Sequence, residues 1–216
     1  MKKIIIWGAS GHAMVVADAL TLGREYEIVG FLDDYNPELP GRTFCGFPVF
    51  GRREVLLELR REGVEHLVFG FGNCEARLRL AEVARGYGYA LGKAIHPSAT
   101  VAADALVGAG TVVVAGAVIN PGAVIGENVI VNTCASVDHE CLIADGAHIC
   151  PGVRLAGRVR VGRGTWVGIG SSVADGLTIG AGSMIGAGSV VVEDVPGGVL
   201  AYGVPARVMK RLTDES

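Results

Sequence analysis

Starting at Ile95 and stepping by six, the chain reads Ile95, Val101, Val107, Val113, Ile119, Ile125, Val131, Val137, Ile143, Ile149, Leu155, Val161, Val167, Val173, Ile179, Ile185 and Val191. Every one of these is aliphatic, and all but Leu155 are β-branched. The residue four places further on is mostly small, as at Ala99, Ala105, Thr111, Ala117, Ala123, Ala135, Ala147, Thr165, Ser171, Ser183 and Ser189. A helix repeats at 3.6 residues and a strand at 2, so neither produces a period of six. A coil of three short strands does, with one inward aliphatic per side and small residues at tight corners. Three hexads make one coil, so the run predicts between five and six coils with no insertion.

The first part of the chain has different chemistry. Residues 1–92 hold 23 charged side chains, whereas the longer stretch 93–196 holds 13. The shift predicts a domain at 1–92, a second at 93–196 and a tail at 197–216. Within the first, KKIIIWG reads as a buried strand and GHAMVVADAL as a helix. EIVGFLDD is a second strand, EVLLELRREG a helix stopped by Gly63, and EHLVFGFG a third strand. NCEARLRLAEVARGYG is a helix capped by Asn73. That order predicts a small Rossmann-like α/β domain with a parallel sheet.

Composition excludes several classes. A net charge of -3 gives no basic face for nucleic acid. Five cysteines (Cys45, Cys74, Cys134, Cys141, Cys150) form no CxxC pair and predict a reduced, cytoplasmic protein without disulfides. The apolar start runs into Gly8 too soon for a signal peptide. The uncharged run from Ala105 to Gly126 is long enough to span a bilayer, but its glycines and its period of six predict solenoid.

Chemistry concentrates in few places. His139, in VDHE, takes an outward place in its hexad beside Glu140. A neutral imidazole accepts a proton at physiological pH, and an adjacent carboxylate fixes its tautomer, which suits a general base. His139, Gly157 and Asp175 are spaced by three hexads and stack on successive coils; a glycine there permits close approach, and its N–H suits an oxyanion. Thr133, Pro151, Ile169 and Ala187 form a second column. No cysteine or serine has a basic partner in a nucleophile motif, so no covalent nucleophile is expected. A zinc site needs three ligands, and the prism supplies His139 and His148, with His96 at its edge, so no metal is expected. The loop Gly8-Ala9-Ser10-Gly11-His12-Ala13, between strand and helix, suits phosphate, and Asp33 ends the next strand. NAD binding and a tight strand–helix turn with acidic capping both fit these residues.

The hexads resemble those of the left-handed β-helix acyltransferases, and the left hand of the coil comes from that resemblance. The order GASGHA, FLDD, GFGNCEAR, AIHPSAT, NTCASVDHE, CPGV and AYGVPARV is similar to the NeuD/PglD family of sugar O- and N-acetyltransferases over essentially the whole chain. The resemblance implies a cytoplasmic homotrimer that takes acetyl-CoA between subunits and a nucleotide-linked amino sugar, in particular a UDP-4-amino-4,6-dideoxyhexose. It implies His139 as base with Glu140 as partner and His148 as an acetyl-CoA contact. Gly157, Ile169 and Ala187 would line the pantetheine path; Gly8, Gly11, His12, Asp33, Asp34, Gly72 and Asn73 would face the nucleotide sugar. Ser10 and Glu140 depart from the glycine and aspartate frequent in relatives. Arg154, Arg158, Arg160, Arg163, Arg207 and Lys210 are candidates for CoA phosphates or a solvated charged face. O-acetylation of a sialic-acid-like sugar, a non-catalytic nucleotide-sugar-binding solenoid and an NAD-linked oxidoreductase are the alternatives.

Overall fold

The computed structural model describes residues 1–212, so positions 213–216 of the expected tail lie outside the described residues. Its first unit runs β1 (Lys2–Trp7), α1 (Gly11–Gly23), β2 (Tyr26–Leu32), β3 (Thr43–Phe44), β4 (Phe47–Phe50), α2 (Val55–Arg61), β5 (His66–Phe69), α3 (Cys74–Gly86) and β6 (Ala90–Leu91). The sheet order is β3-β4-β2-β1-β5-β6, parallel except for the edge strand β3. β1 is apolar at consecutive positions because helices cover both faces. Ile4 and Ile6 pack in one cluster with Ala13, Val16 and Leu20 of α1, and Ile5 and Trp7 in another with Leu56 of α2 and Ala81 of α3. The predicted strands and helices of this unit all form. The hairpin β3–β4 and the short strand β6 add to them; segments of that length carry no periodicity for a sequence reading to find.

The second unit is a left-handed parallel β-helix of short strands, from β7 (Ala94–Ile95) to β23 (Val190–Val191). Each strand ends on a hexad aliphatic. Partners across the three sheets are three hexads apart, as in Val112↔Ile130 and Ile130↔His148. Most of the aliphatics are fully buried, whereas Ile95 is 36% exposed, since no coil lies beneath it to close the core. The small corner residues also point inward. Thr111, Thr165, Ser171 and Ser183 each donate a hydroxyl hydrogen bond to a backbone carbonyl of the adjoining coil. The uncharged stretch 105–126 winds through four of these strands, and among the described residues no helix is long and apolar enough to cross a membrane.

Beyond residue 196, β24 (Val199–Gly203) joins the eight-stranded sheet beside Met184–Ile185, and β25 (Ala206–Arg211) folds back antiparallel on it. Here the register is two short of three hexads (Met184↔Leu200), which ends the regular winding.

The outward positions of the eight-stranded sheet position the site. Ala94, Val112 and Ile130 point away from the prism core yet are buried, because the α/β unit packs over them. His148 is next in that column and is 4% exposed. Trp166 follows half-buried, and Met184 is exposed, so His148 stands where the cover of the α/β unit ends.

Candidate active site

His139 sits in the turn after Ser136–Val137. Its backbone N–H donates to Asp138 Oδ1 (2.8 Å), which also accepts from Asn120 Nδ2 one coil away (3.0 Å). His139 Nδ1 lies 3.2 Å from Glu140 Oε2, with both side chains half exposed. A proton on Nδ1 satisfies that contact and leaves the lone pair on Nε2. Nε2 rests on Gly157, where a Cβ would lie 2.5 Å from it and 2.9 Å from Asp175 Oδ1. The predicted column is therefore a physical contact, and a side chain at its centre would displace the imidazole.

The backbone at this corner is unusual for its residue types. From Gly110 to Gly188 every sixth residue has positive φ; all are glycine except Asn128, Cys134, Glu140 and Arg158. Glu140 and Arg158 share a column, with Gly122 before them and Gly176 after. A side chain in that conformation costs roughly 1–2 kcal/mol, so the two charged residues occupy it at the expense of stability. Glu140 reaches His139 from there, and Arg158 Nη2 donates to Asp175 Oδ2.

A second group of predicted residues meets elsewhere on the prism. His12, Gly72, His148, Ile169 and Ala187 line one cleft of about 480 Å³, together with Trp166, Pro151 and Met184. Ile169 is 57% exposed although large and apolar. His148 Nε2 lies 3.1 Å from Asn132 Nδ2, and its Nδ1 is 3.4 Å from the Gly72 carbonyl. Both nitrogens are thus engaged by the chain, and the Trp166 ring lies 4.2 Å from the imidazole centroid to centroid. Burial, then the Arg77 guanidinium and His12, push His148 down to about 3. Burial and Arg77 take His12 down to about 4. Both imidazoles are therefore neutral at pH 7, and His12 Nε2 is buried without a partner among the described residues.

Arg77 is the residue that sequence reasoning missed. Only 1% exposed, its guanidinium donates to Gly72 and Phe71 in the α/β unit and to Asn128, Gly146 and Ala147 in the prism, all through carbonyl oxygens. A buried charge without a carboxylate is tolerated because those dipoles replace its water. In GNCEAR it looks like one more charge on an amphipathic helix.

The remaining predicted residues line the carboxyl ends of β1, β2 and β5, where the sheet order switches direction. Gly8 has φ +109, and a Cβ there would meet Phe71 Cδ1 at 2.9 Å. Gly11 opens α1 with free space above it, and Ser10 places no side-chain cap on that helix end. Asp33 accepts from the backbone N–H groups of Ala9, Tyr35 and Asn36, so its carboxylate shapes the loop. Asp34 takes the Trp7 indole N–H and the Arg53 guanidinium. Asn73 caps α3 by accepting from Ala76 N (2.8 Å). Gly8, Gly11, Asp33, Asp34 and Asn73 do not line the cleft, and neither do His139, Glu140 and Gly157.

Burial pushes the thiols of Cys141 and Cys150 up to about 11 and about 12, which leaves them protonated at neutral pH. Arg154 donates to the Cys134 carbonyl, Arg207 pairs with Glu193 at 3.7 Å, and Arg160 lies on an outer face beside Val124 and Leu142. Arg163 and Lys210 are exposed. Among the described residues no group of three or more His, Cys, Asp and Glu is arranged to hold a metal.

Residues 3–84 match the PglD N-terminal domain, and residues 158–192 match the bacterial transferase hexapeptide (six repeats). A perosamine N-acetyltransferase from Caulobacter crescentus, solved with CoA and GDP-perosamine as a histidine-to-asparagine variant, superposes with a TM-score of 0.92 at 39% identity, over 97% of this chain and 98% of that one. The acetyltransferase domain of PglB from Neisseria gonorrhoeae superposes at 0.90, also at 39% identity, over 97% and 100% of the two chains. WeeI from Acinetobacter baumannii shares the fold at 23% identity, with a TM-score of 0.80 over 97% and 100%. The search of curated protein sequences returned no match. With both halves of its architecture matched, and relatives of 39% identity spanning it end to end, the chain belongs to the NeuD/PglD family of hexapeptide-repeat sugar acetyltransferases.

Proposed function

We propose that the protein transfers the acetyl group of acetyl-CoA to the amine of a nucleotide-linked 4-amino-4,6-dideoxyhexose, with His139 as general base. The observation that carries this reading is the His139 imidazole, tied through Nδ1 to Glu140 and resting with Nε2 on Gly157. As the amine attacks the thioester carbon, Nε2 takes its proton, and Glu140 stabilises the imidazolium that forms. The carbon–sulfur bond then breaks, and the thiolate receives the proton from the imidazolium. The Gly157 N–H serves the oxyanion in this reading. Relatives solved with CoA and GDP-perosamine, and with acetyl coenzyme A, support the donor and the class of acceptor.

The cleft and the His139 corner lie on different sheets of one prism. We read them as halves of a site completed in a homotrimer, where the corner of one protomer faces the cleft of the next. The outer face carrying Leu106 (64% exposed) and Val124 (39%) supports this, because such an apolar surface calls for cover. In the cleft, Ile169 and Ala187 take the pantetheine, and His148 offers a neutral ring edge. The loop with Gly8, Gly11 and His12 takes the diphosphate at the open end of α1, and Asp33, Asp34, Gly72 and Asn73 shape the walls around the sugar nucleotide. Acetyl-CoA and sugar nucleotides are cytoplasmic metabolites, and the five thiols suit that compartment.

The test is thiol release from acetyl-CoA with the UDP-linked 4-amino-4,6-dideoxyhexose and with GDP-perosamine. Release that depends on the sugar is expected, falling by about 10²–10⁴ in His139→Ala with loss of the rising limb of kcat/KM against pH. An unchanged rate in that variant removes His139 from the mechanism, and release with only a hydroxyl acceptor moves the activity to O-acetylation.

A further inference from the structure

Asp175 has no part in the mechanism above, yet it lies where the chemistry would occur. His139 Nε2 and Asp175 Oδ1 both approach the point that a Gly157 Cβ would occupy, at 2.5 and 2.9 Å. Asp175 Oδ2 accepts from Arg158, which leaves Oδ1, the oxygen that approaches this point, without a protein donor among the described residues. The carboxylate is half exposed and open to a ligand. Its holder Arg158 adopts the left-handed conformation one coil beyond Glu140, which does the same to reach His139. Two charged residues thus accept backbone strain in one column, one beside His139 and the other beside Asp175.

The other ionisable groups of this corner have partners. Glu140 faces Nδ1 on the opposite edge of the imidazole, and Asp138 Oδ1 is taken by Asn120 and the His139 backbone. A proton acceptor and a fixed anion consequently stand side by side at Nε2 and Oδ1. An amine has two N–H bonds for them, one to give up and one to keep; a hydroxyl has a single O–H and would turn a lone pair toward the carboxylate.

We propose that Asp175 is the residue that selects an amino over a hydroxyl acceptor, by holding the N–H that the amine retains. This rests on His139 being the base. In the step, the nitrogen–carbon bond forms at the thioester carbonyl and one N–H proton moves to Nε2. The carbon–sulfur bond breaks, the thiolate takes the proton from the imidazolium, and the second N–H stays on Oδ1 until the amide is released. A site whose polar group is left unpaired by the wrong substrate discriminates far more strongly than one that fits by shape alone.

The experiment measures kcat/KM at saturating acetyl-CoA for the nucleotide-linked amine and for the same nucleotide sugar with a hydroxyl at that carbon, in wild type, Asp175→Asn and Asp175→Ala. Both variants should lose roughly 10- to 100-fold with the amine, the range of a charge-assisted hydrogen bond. They should lose nothing with the hydroxyl sugar, and the KM for acetyl-CoA and the melting temperature should stay at wild-type values. Equal losses on the two acceptors, or none on the amine, overturn the assignment while leaving His139 in place. A wild-type enzyme silent toward both the UDP- and GDP-linked amines overturns the transferase reading, and this proposal with it.

Discussion

Glu140 stands one coil from Gly122 in the same turn, and the two share a left-handed backbone, with φ of +57 and +72. The turn is a glycine position by geometry, and from it the carboxylate contacts His139. Glu140→Gly should therefore raise stability by about 0.5–1 kcal/mol and lower kcat/KM at least tenfold. Thermal unfolding and acetyl transfer on one preparation check both signs. A variant that loses stability would show that the turn is not strained.

Gly157→Ala separates position from identity. The added methyl meets only the ends of two side chains, His139 and Asp175, and the backbone there needs no special φ. The melting temperature should hold while kcat falls by about 10²-fold as the imidazole is displaced. Full activity would mean that the imidazole works from another rotamer.

Arg77→Met removes the donor for five carbonyls that lie between the two units. A loss of roughly 3 kcal/mol or more is expected in urea unfolding. Arg77→Lys, which keeps the charge but not the fork of donors, should recover only part of it. A neutral result would mean that water replaces the guanidinium.

His148 gives the fold a defined response to acid. Its pKa is about 3 in the folded protein, against an ordinary value near 6.5 once unfolded. Below pH 6.5 the unfolded chain binds a proton that the folded chain refuses, so stability is complete above that pH and drains away as pH falls toward 3. Between pH 7.5 and 5.0 the loss from this group is roughly 2 kcal/mol. His12, with a pKa of about 4, acts with the same sign. Unfolding midpoints of wild type and His148→Gln at the two pH values check this: the variant should keep only the share that His12 supplies.

The prism is legible to the residue, because an unbroken period of six from Ile95 to Val191 has one structural solution, and each strand ends on the aliphatic that the period marks. The stacking of His139, Gly157 and Asp175 follows from the same arithmetic. The docking of the two units does not. Val112 and Ile130 hold apolar outward positions, but so do the exposed Leu106 and Val124, and residue type does not tell the covered face from the open one. Arg77 escapes because nothing in its helix distinguishes a guanidinium bound by distant carbonyls from one in water. Asp33 and Asn73 stand out in the sequence as special, and the structure shows their side chains serving the backbone, a use that residue type and spacing share with ligand binding.

The unbroken three-hexad register makes the prism behave like a gear with three teeth. Inserting one hexad below His139 would turn everything beyond it by one side and carry the imidazole to a different face, with no clash in the core to signal the error. Inserting three would return each residue to its face one coil higher, about 4.8 Å along the axis. Viable length changes in this half of the chain are therefore counted in whole turns, and a lineage can lengthen the column without altering which surfaces meet, whereas a single lost hexad leaves a well-folded protein with its chemistry pointing the wrong way.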